Sequence, residues 1–124
     1  IFISCDAQSY KKRLENKNYA VYYYNNETME NVTDIKKLVE DAGIDSKKIE
    51  WVILGFKGSN SQDIVTIYHF NDKNNAKFFS EYMKEYITQD EATETWIVVY
   101  LENNSEGKNV FVGTETAIKN ARNK

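Results

Sequence analysis

Hydrophobic and polar positions along the chain fall into two similar runs. Tyr19-Ala20-Val21-Tyr22-Tyr23-Tyr24 is β-branched and aromatic, and Asn25-Asn26 ends it, as expected of a strand. Met29, Val32, Ile35, Leu38, Val39 and Ala42 then recur every three or four residues, which predicts a helix with one apolar face. Gly43 stands where a left-handed cap would end it. Trp51-Val52-Ile53-Leu54-Gly55-Phe56 predicts a second strand, closed by the turn-forming Lys57-Gly58-Ser59-Asn60-Ser61. The second run repeats this order. Ile64 to Phe70 reads as a strand, and Asn71-Asp72 supplies N-caps. A helix follows with Ala76, Phe79, Tyr82, Met83, Tyr86 and Ile87 on one face, and then the strand Trp96 to Leu101. Tyr22 and Trp51 are 29 positions apart, and Tyr68 and Trp96 are 28. After the turn residues Asn103 to Lys108, the segment Asn109-Val110-Phe111-Val112-Gly113 predicts a hairpin partner for the strand before it. Thr114 is placed to cap a last short helix with Ala117, Ile118 and Ala121 inward.

Two β-α-β units in tandem predict an α+β fold. The expected architecture is a ferredoxin-like βαββαβ split with an extra C-terminal strand and short helix. Each strand can be read face by face, because side chains alternate. Val52, Leu54 and Phe56 share one side of their strand, and Trp51 and Ile53 the other. Ile97, Val99 and Leu101 oppose Trp96, Val98 and Tyr100. Both sides are apolar, whereas a half-solvated antiparallel sheet alternates apolar with polar. The two main helices of such a fold cover one face, so the other needs a cover. With the Trp-bearing side open, Trp51, Ile53, Trp96, Val98 and Tyr100 form a candidate interaction face. Tyr22, Tyr24, Tyr68 and Phe70 join it if the registers agree. The terminal helix folding back is the first cover to expect, a two-fold related second subunit the next, and a ligand or peptide groove the third.

Composition narrows the picture. The 124 residues suit one domain with a real core. A net charge of −3 argues against a nucleic-acid role, which calls for a basic face. The absence of proline in a chain rich in Asn, Lys, Ile and Tyr reads as ancestry. In so Asn-rich a chain the three Asn-X-Ser/Thr matches are expected by chance. The start is more informative. Ile1-Phe2-Ile3-Ser4 is apolar and begins without Met, Cys5 is the single cysteine, and Asp6-Ala7-Gln8-Ser9 turns polar at once. A lone cysteine cannot serve an internal disulfide. Phe2-Ile3-Ser4-Cys5 resembles the lipobox of bacterial lipoprotein signal peptides, with Phe2 where leucine is commoner and Ser4 as the small residue before the cut. The resemblance covers these four positions. It implies cleavage before Cys5, a lipid on its sulfur, and a membrane-anchored, extracytoplasmic place in the bacterial cell envelope. The competing reading is a short N-terminal strand with a core cysteine and a cytoplasmic location. On the lipobox reading, residues 1–4 are a signal-peptide remnant, 5–18 a polar tether or a short weak helix, and 19–124 one domain. The basic run Lys11-Lys12-Arg13 has two readings, attraction to an anionic membrane surface and a solvated linker; three charges contribute little to the former, so the linker ranks first.

Chemistry-bearing patterns are few. His69 is the single histidine, and one His with one Cys does not build a usual zinc site. Glu40-Asp41 with Asp45, and Asp90-Glu91 with Glu94, lack the spacing and central glycine of a calcium loop. The glycines form neither a P-loop nor a dinucleotide fingerprint. No catalytic residue, cofactor or metal ligand is therefore named. The expectation is an envelope lipoprotein whose small domain binds a partner or self-associates, with a membrane contact through lipidated Cys5. A structural or oligomerising module is the second reading, and an enzyme with a pocket on the aromatic face the third.

Overall fold

Neighbouring residues Val52 and Ile53 are both fully buried, although they point to opposite sides of their strand. Both faces of the sheet are therefore covered. The computed structural model describes residues 5–58 and 63–124; the expected signal remnant and residues 59–61 of the expected turn lie outside them. The elements are α1 (Cys5–Asn16), β1 (Ala20–Asn25), α2 (Thr33–Asp41), β2 (Ile49–Phe56), β3 (Ile64–Phe70), α3 (Lys73–Thr88), β4 (Trp96–Tyr100), β5 (Asn109–Thr114) and α4 (Glu115–Arg122). The class is α+β, and β1-α2-β2-β3-α3-β4 gives the expected βαββαβ order, followed by the expected extra strand and helix.

The strands lie in the order β1-β2-β3-β5-β4, with every neighbouring pair antiparallel. β3 and β4 thus run parallel with β5 inserted between them, the split arrangement, while β1 and β2 are direct neighbours. β5 does pair with β4 as a hairpin, and it also pairs with β3, so it is interior and all six of its residues are buried. Interior placement explains Gly113. A Cβ there would lie 2.1 Å from the Ile64 carbonyl oxygen, and φ is +148°. Only glycine lets the β3 backbone come that close.

Helices fill the two faces. On one side α2 and α3 bury Val39, Ala76, Phe79 and Met83 against Val52, Phe70 and Val110. Gly43 takes φ +86° at the end of α2, as expected of the cap, and Asp72 accepts from Asn75 N at 2.8 Å at the start of α3. On the other side α1 and α4 bury Ala7, Tyr10, Leu14, Ala117, Ile118 and Ala121 against Trp51, Ile53, Ile67 and Phe111. Thr114 precedes α4, but its hydroxyl bonds the Ile64 backbone and makes no cap hydrogen bond.

Of the two readings for 5–18, a polar tether or a short helix, the structure has the helix, and it is packed on the sheet where a tether would be solvated. Ala7, Tyr10 and Leu14 lie on one face of α1, and Leu14 sits so close over β2 that a Cβ on Gly55 would meet its Cδ1 at 2.9 Å. Asn18, at φ +70°, takes the left-handed conformation just beyond the helix end. Charged residues on the outer side hide this three-residue stripe from a composition reading. Leu14→Ala is expected to cost about 2–4 kcal/mol in unfolding free energy, the range for emptying a closed core site. Urea denaturation measures it, and a change near zero would mean that α1 rides loosely on the domain.

Candidate functional site

The expected aromatic face divides in two. Cross-strand partners share a face. Ile53 is paired through Ile67 and Phe111 to Val99, whereas Val98 is paired through Val112 and Thr66 to Leu54. Trp51 and Ile53 therefore belong to the α1–α4 side, where both are buried. Trp96, Val98, Tyr100, Tyr24 and Tyr68 belong to the α2–α3 side with Val52, as does Phe70. Tyr22 shares that side, stacked on Phe56 with ring centroids 5.9 Å apart, and is 48% exposed. The expected alternation holds within each strand, but the register between β2 and β4 places their Trp residues on opposite faces. The terminal helix does cover the Trp51 side, and it does so jointly with α1.

Beneath those two helices runs the chain's main polar assembly. Trp51 stacks on His69 with centroids 4.7 Å apart and planes 3° from parallel. His69 Nε2 lies 3.1 Å from Glu50 Oε1, and Nδ1 lies 2.5 Å from Asn109 Oδ1. Asn109, almost fully buried, donates from Nδ2 to the Tyr10 hydroxyl at 3.0 Å, and Tyr10 donates to Glu106 Oε2 at 2.7 Å. Arg122 closes the run with a two-pronged contact to Glu106, Nε at 3.2 Å and an Nη at 2.9 Å. Beside the stacked Trp51, six residues from β2, β3, β5, α1, α4 and the turn before β5 are linked by polar contacts. A second, smaller tie joins α4 to the segments leading into β1 and β3: Tyr19 donates to Asp63 and accepts from Asn120 Nδ2 at 3.1 Å.

The electrostatics follow from this geometry. Burial pushes the Glu106 carboxyl up, but hydrogen bonds from Arg122 and Tyr10 and the charges of Arg122 and Lys124 outweigh it and leave it below its usual value. Burial and then the Glu106 hydrogen bond push the Tyr10 hydroxyl above its ordinary value. Tyr19 is pushed up to about 12 by burial and by Asp63. A nucleophilic dyad needs a hydroxyl or thiol on the imidazole; among the described residues the polar side-chain partners of His69 are a carboxylate and an amide. The assembly is built to hold two helices on the sheet. Local spacing gives no signal for it, because Tyr10 and Glu106 are 96 positions apart. The 7-10-14 spacing of Ala7, Tyr10 and Leu14 was the one available clue.

Other candidates also find ordinary roles. Asp45 accepts from Lys47 N and Asp90 from Ala92 N, each at 2.9 Å, so both acidic groups help cap short helical turns. Among the described residues no group of three or more His, Cys, Asp or Glu is arranged to hold a metal ion. The clefts are open. One of about 510 Å³ lies between Glu91, Glu94 and Thr114–Thr116, one of about 360 Å³ includes Trp96, and one of about 210 Å³ adjoins Tyr10, Glu106 and Arg122. Cys5 is the first residue of α1. No described helix is long and apolar enough to cross a membrane. No family model, curated protein or solved structure matches the chain.

Glu106 yields a pH prediction. A carboxyl held below its unfolded value stabilises the fold above the unfolded pKa, near 4.3 for Glu. That stability is lost as pH falls through the lower, folded value. Glu106→Gln is therefore expected to be less stable than the parent by about 1–3 kcal/mol at neutral pH, with the gap narrowing in acid. Chemical denaturation at a series of pH values checks this; a gap that stays constant into acid would show that charge is not what Glu106 contributes.

Proposed function

We propose that this chain is the small binding domain of a bacterial cell-envelope lipoprotein, held outside the cytoplasm by a lipid on Cys5. The observation that carries the reading is the lipobox-like run Phe2-Ile3-Ser4-Cys5, which meets the folded domain where α1 begins. Because α1 packs on the sheet, an anchor at Cys5 would attach without slack. The domain would then sit directly on the membrane surface. Intact mass of the native protein extracted from membranes tests this. The expected mass is that of a chain beginning at Cys5 plus a diacylglycerol, and Cys5→Ser should move the protein into the unbound fraction. An unmodified Cys5 on a full-length chain would end the reading.

Self-association is a second reading with its own support. The open edges of the sheet are β1 and β4. Neither strand contains a charged residue, the usual device that blocks edge-to-edge pairing. On β4, Ile97 is 37% exposed. Light scattering of the Cys5→Ser chain is expected to show a dimer that Ile97→Lys converts to monomer. A monomer for the unaltered edge at high concentration would leave the domain as a binding module alone.

A further inference from the structure

We infer that the outer surface of the α1–α4 layer is a docking surface for an anionic lipid bilayer. The inference rests on the anchoring reading for its orientation, but its evidence is the distribution of charge. Residues 5–17 and 115–124 together with Glu106 carry seven lysines and arginines against four carboxylates, a net +3, so the rest of a chain of total charge −3 carries −6. The fold turns this segregation into a surface. Ala7, Tyr10, Leu14, Ala117, Ile118 and Ala121 face the sheet, which leaves the charged residues of both helices on the outside. Arg13 donates to the Ala121 carbonyl at 3.2 Å and joins the two helices into one layer.

Pairing within the layer removes some charges and leaves others. Glu15 is met by Lys11 at 3.0 Å, Glu115 by Lys119 at 2.9 Å, and Glu106 by Arg122 at 2.9 Å. Asp63 and Lys57, which both meet Tyr19 at the layer's edge, cancel each other. The excess positive charge resides on exposed Lys12 and Lys17, on half-buried Arg13, and on exposed Lys124, whose Nζ lies 3.9 Å from the Glu106 carboxylate already held by Arg122; the exposed carboxylate of Asp6 offsets one of these charges. Each basic residue near an anionic surface raises membrane partitioning roughly fivefold, within a Debye length. A nucleic acid fits less well. The remaining −6 repels a polyanion longer than the patch, and single-stranded binding uses exposed aromatic rings. Among the described residues the exposed large hydrophobics are Tyr22, Phe78, Tyr86 and Ile97; none is on α1 or α4, and Ile97 lies on the edge strand β4.

The test uses the full chain carrying Cys5→Ser, so no acyl chain contributes to binding. Co-sedimentation is measured with vesicles of phosphatidylcholine alone and of phosphatidylcholine with phosphatidylglycerol. Binding is expected to the anionic vesicles only, and to be lost at high salt. The triple variant Lys12→Glu, Lys17→Glu, Lys124→Glu should bind at least about tenfold more weakly. A control on the opposite layer, Lys36→Glu with Lys84→Glu, should change binding by less than about twofold, and circular dichroism confirms that both variants are folded. Equal binding to both vesicle types, or equal losses in the triple variant and the control, would overturn the inference. So would a single-stranded oligonucleotide that displaces the protein from vesicles at matched phosphate concentration. Failure here with a lipidated native Cys5 would leave the anchor standing and remove only the electrostatic surface. Success with an unmodified Cys5 would do the reverse.

Discussion

A sheet that is apolar on both faces cannot leave either one wet, and that constraint organises the molecule. Val52 and Ile53 each demand a cover on opposite sides. The α2–α3 layer answers one and the α1–α4 layer the other. A twelve-residue helix with the sequence CDAQSYKKRLEN is marginal in water on its own. Its stability comes from the three residues it buries on the sheet. The segment that looks most like a linker is therefore part of the core.

Covering the second face creates a polar problem, which the Glu106 assembly resolves. Asn109 and His69 project from β5 and β3 into a layer otherwise made of Trp51, Ile53, Ile67 and Phe111. A buried amide without partners would cost about 1–3 kcal/mol. Here its oxygen meets His69 and its nitrogen donates to Tyr10, while Tyr10 and Arg122 bind one carboxylate from two helices. No buried side-chain nitrogen or oxygen among the described residues is left without a hydrogen-bond partner. Apolar contact alone would let α1 slide along the sheet. The directional bonds of Tyr10 set where it stops, and those of Arg122 to the same Glu106 do so for α4, which is why the network reads as a positioning device.

Local periodicity made the element order legible, together with Gly43 at the end of α2, Asp72 at the start of α3 and the β4–β5 hairpin. Strand pairing was not legible in the same way. Side-chain period two assigns faces within a strand but leaves the relation between strands open. Inserting β5 between β3 and β4 is a long-range choice, and it separated Trp51 from Trp96. Gly113 carried a trace of that choice, since a glycine inside an apolar strand signals close backbone approach, but its neighbour could not be named. The polar assembly was invisible for a similar reason. Its members are ordinary surface residues until the fold brings residues 10, 106 and 122 together.

The packing of α1 also changes what an anchor would mean. A flexible tether would decouple the domain from the bilayer and let any face meet a partner. A helix fixed to the sheet does not. In the proposed arrangement the basic α1–α4 layer lies against the lipid, and the sheet separates it from α2 and α3. Those helices then face outward, and α3 carries exposed aromatic residues. Phe78 is 54% exposed and Tyr86 45%, on the same helix as the half-buried Tyr82, which stacks on Tyr86 at 6.0 Å. Spaced four residues apart, these three rings line one side of α3. The same two-sided sheet that forces α1 into the fold thereby gives the domain two unlike exteriors, one with an excess of basic side chains and the other bearing exposed aromatic rings.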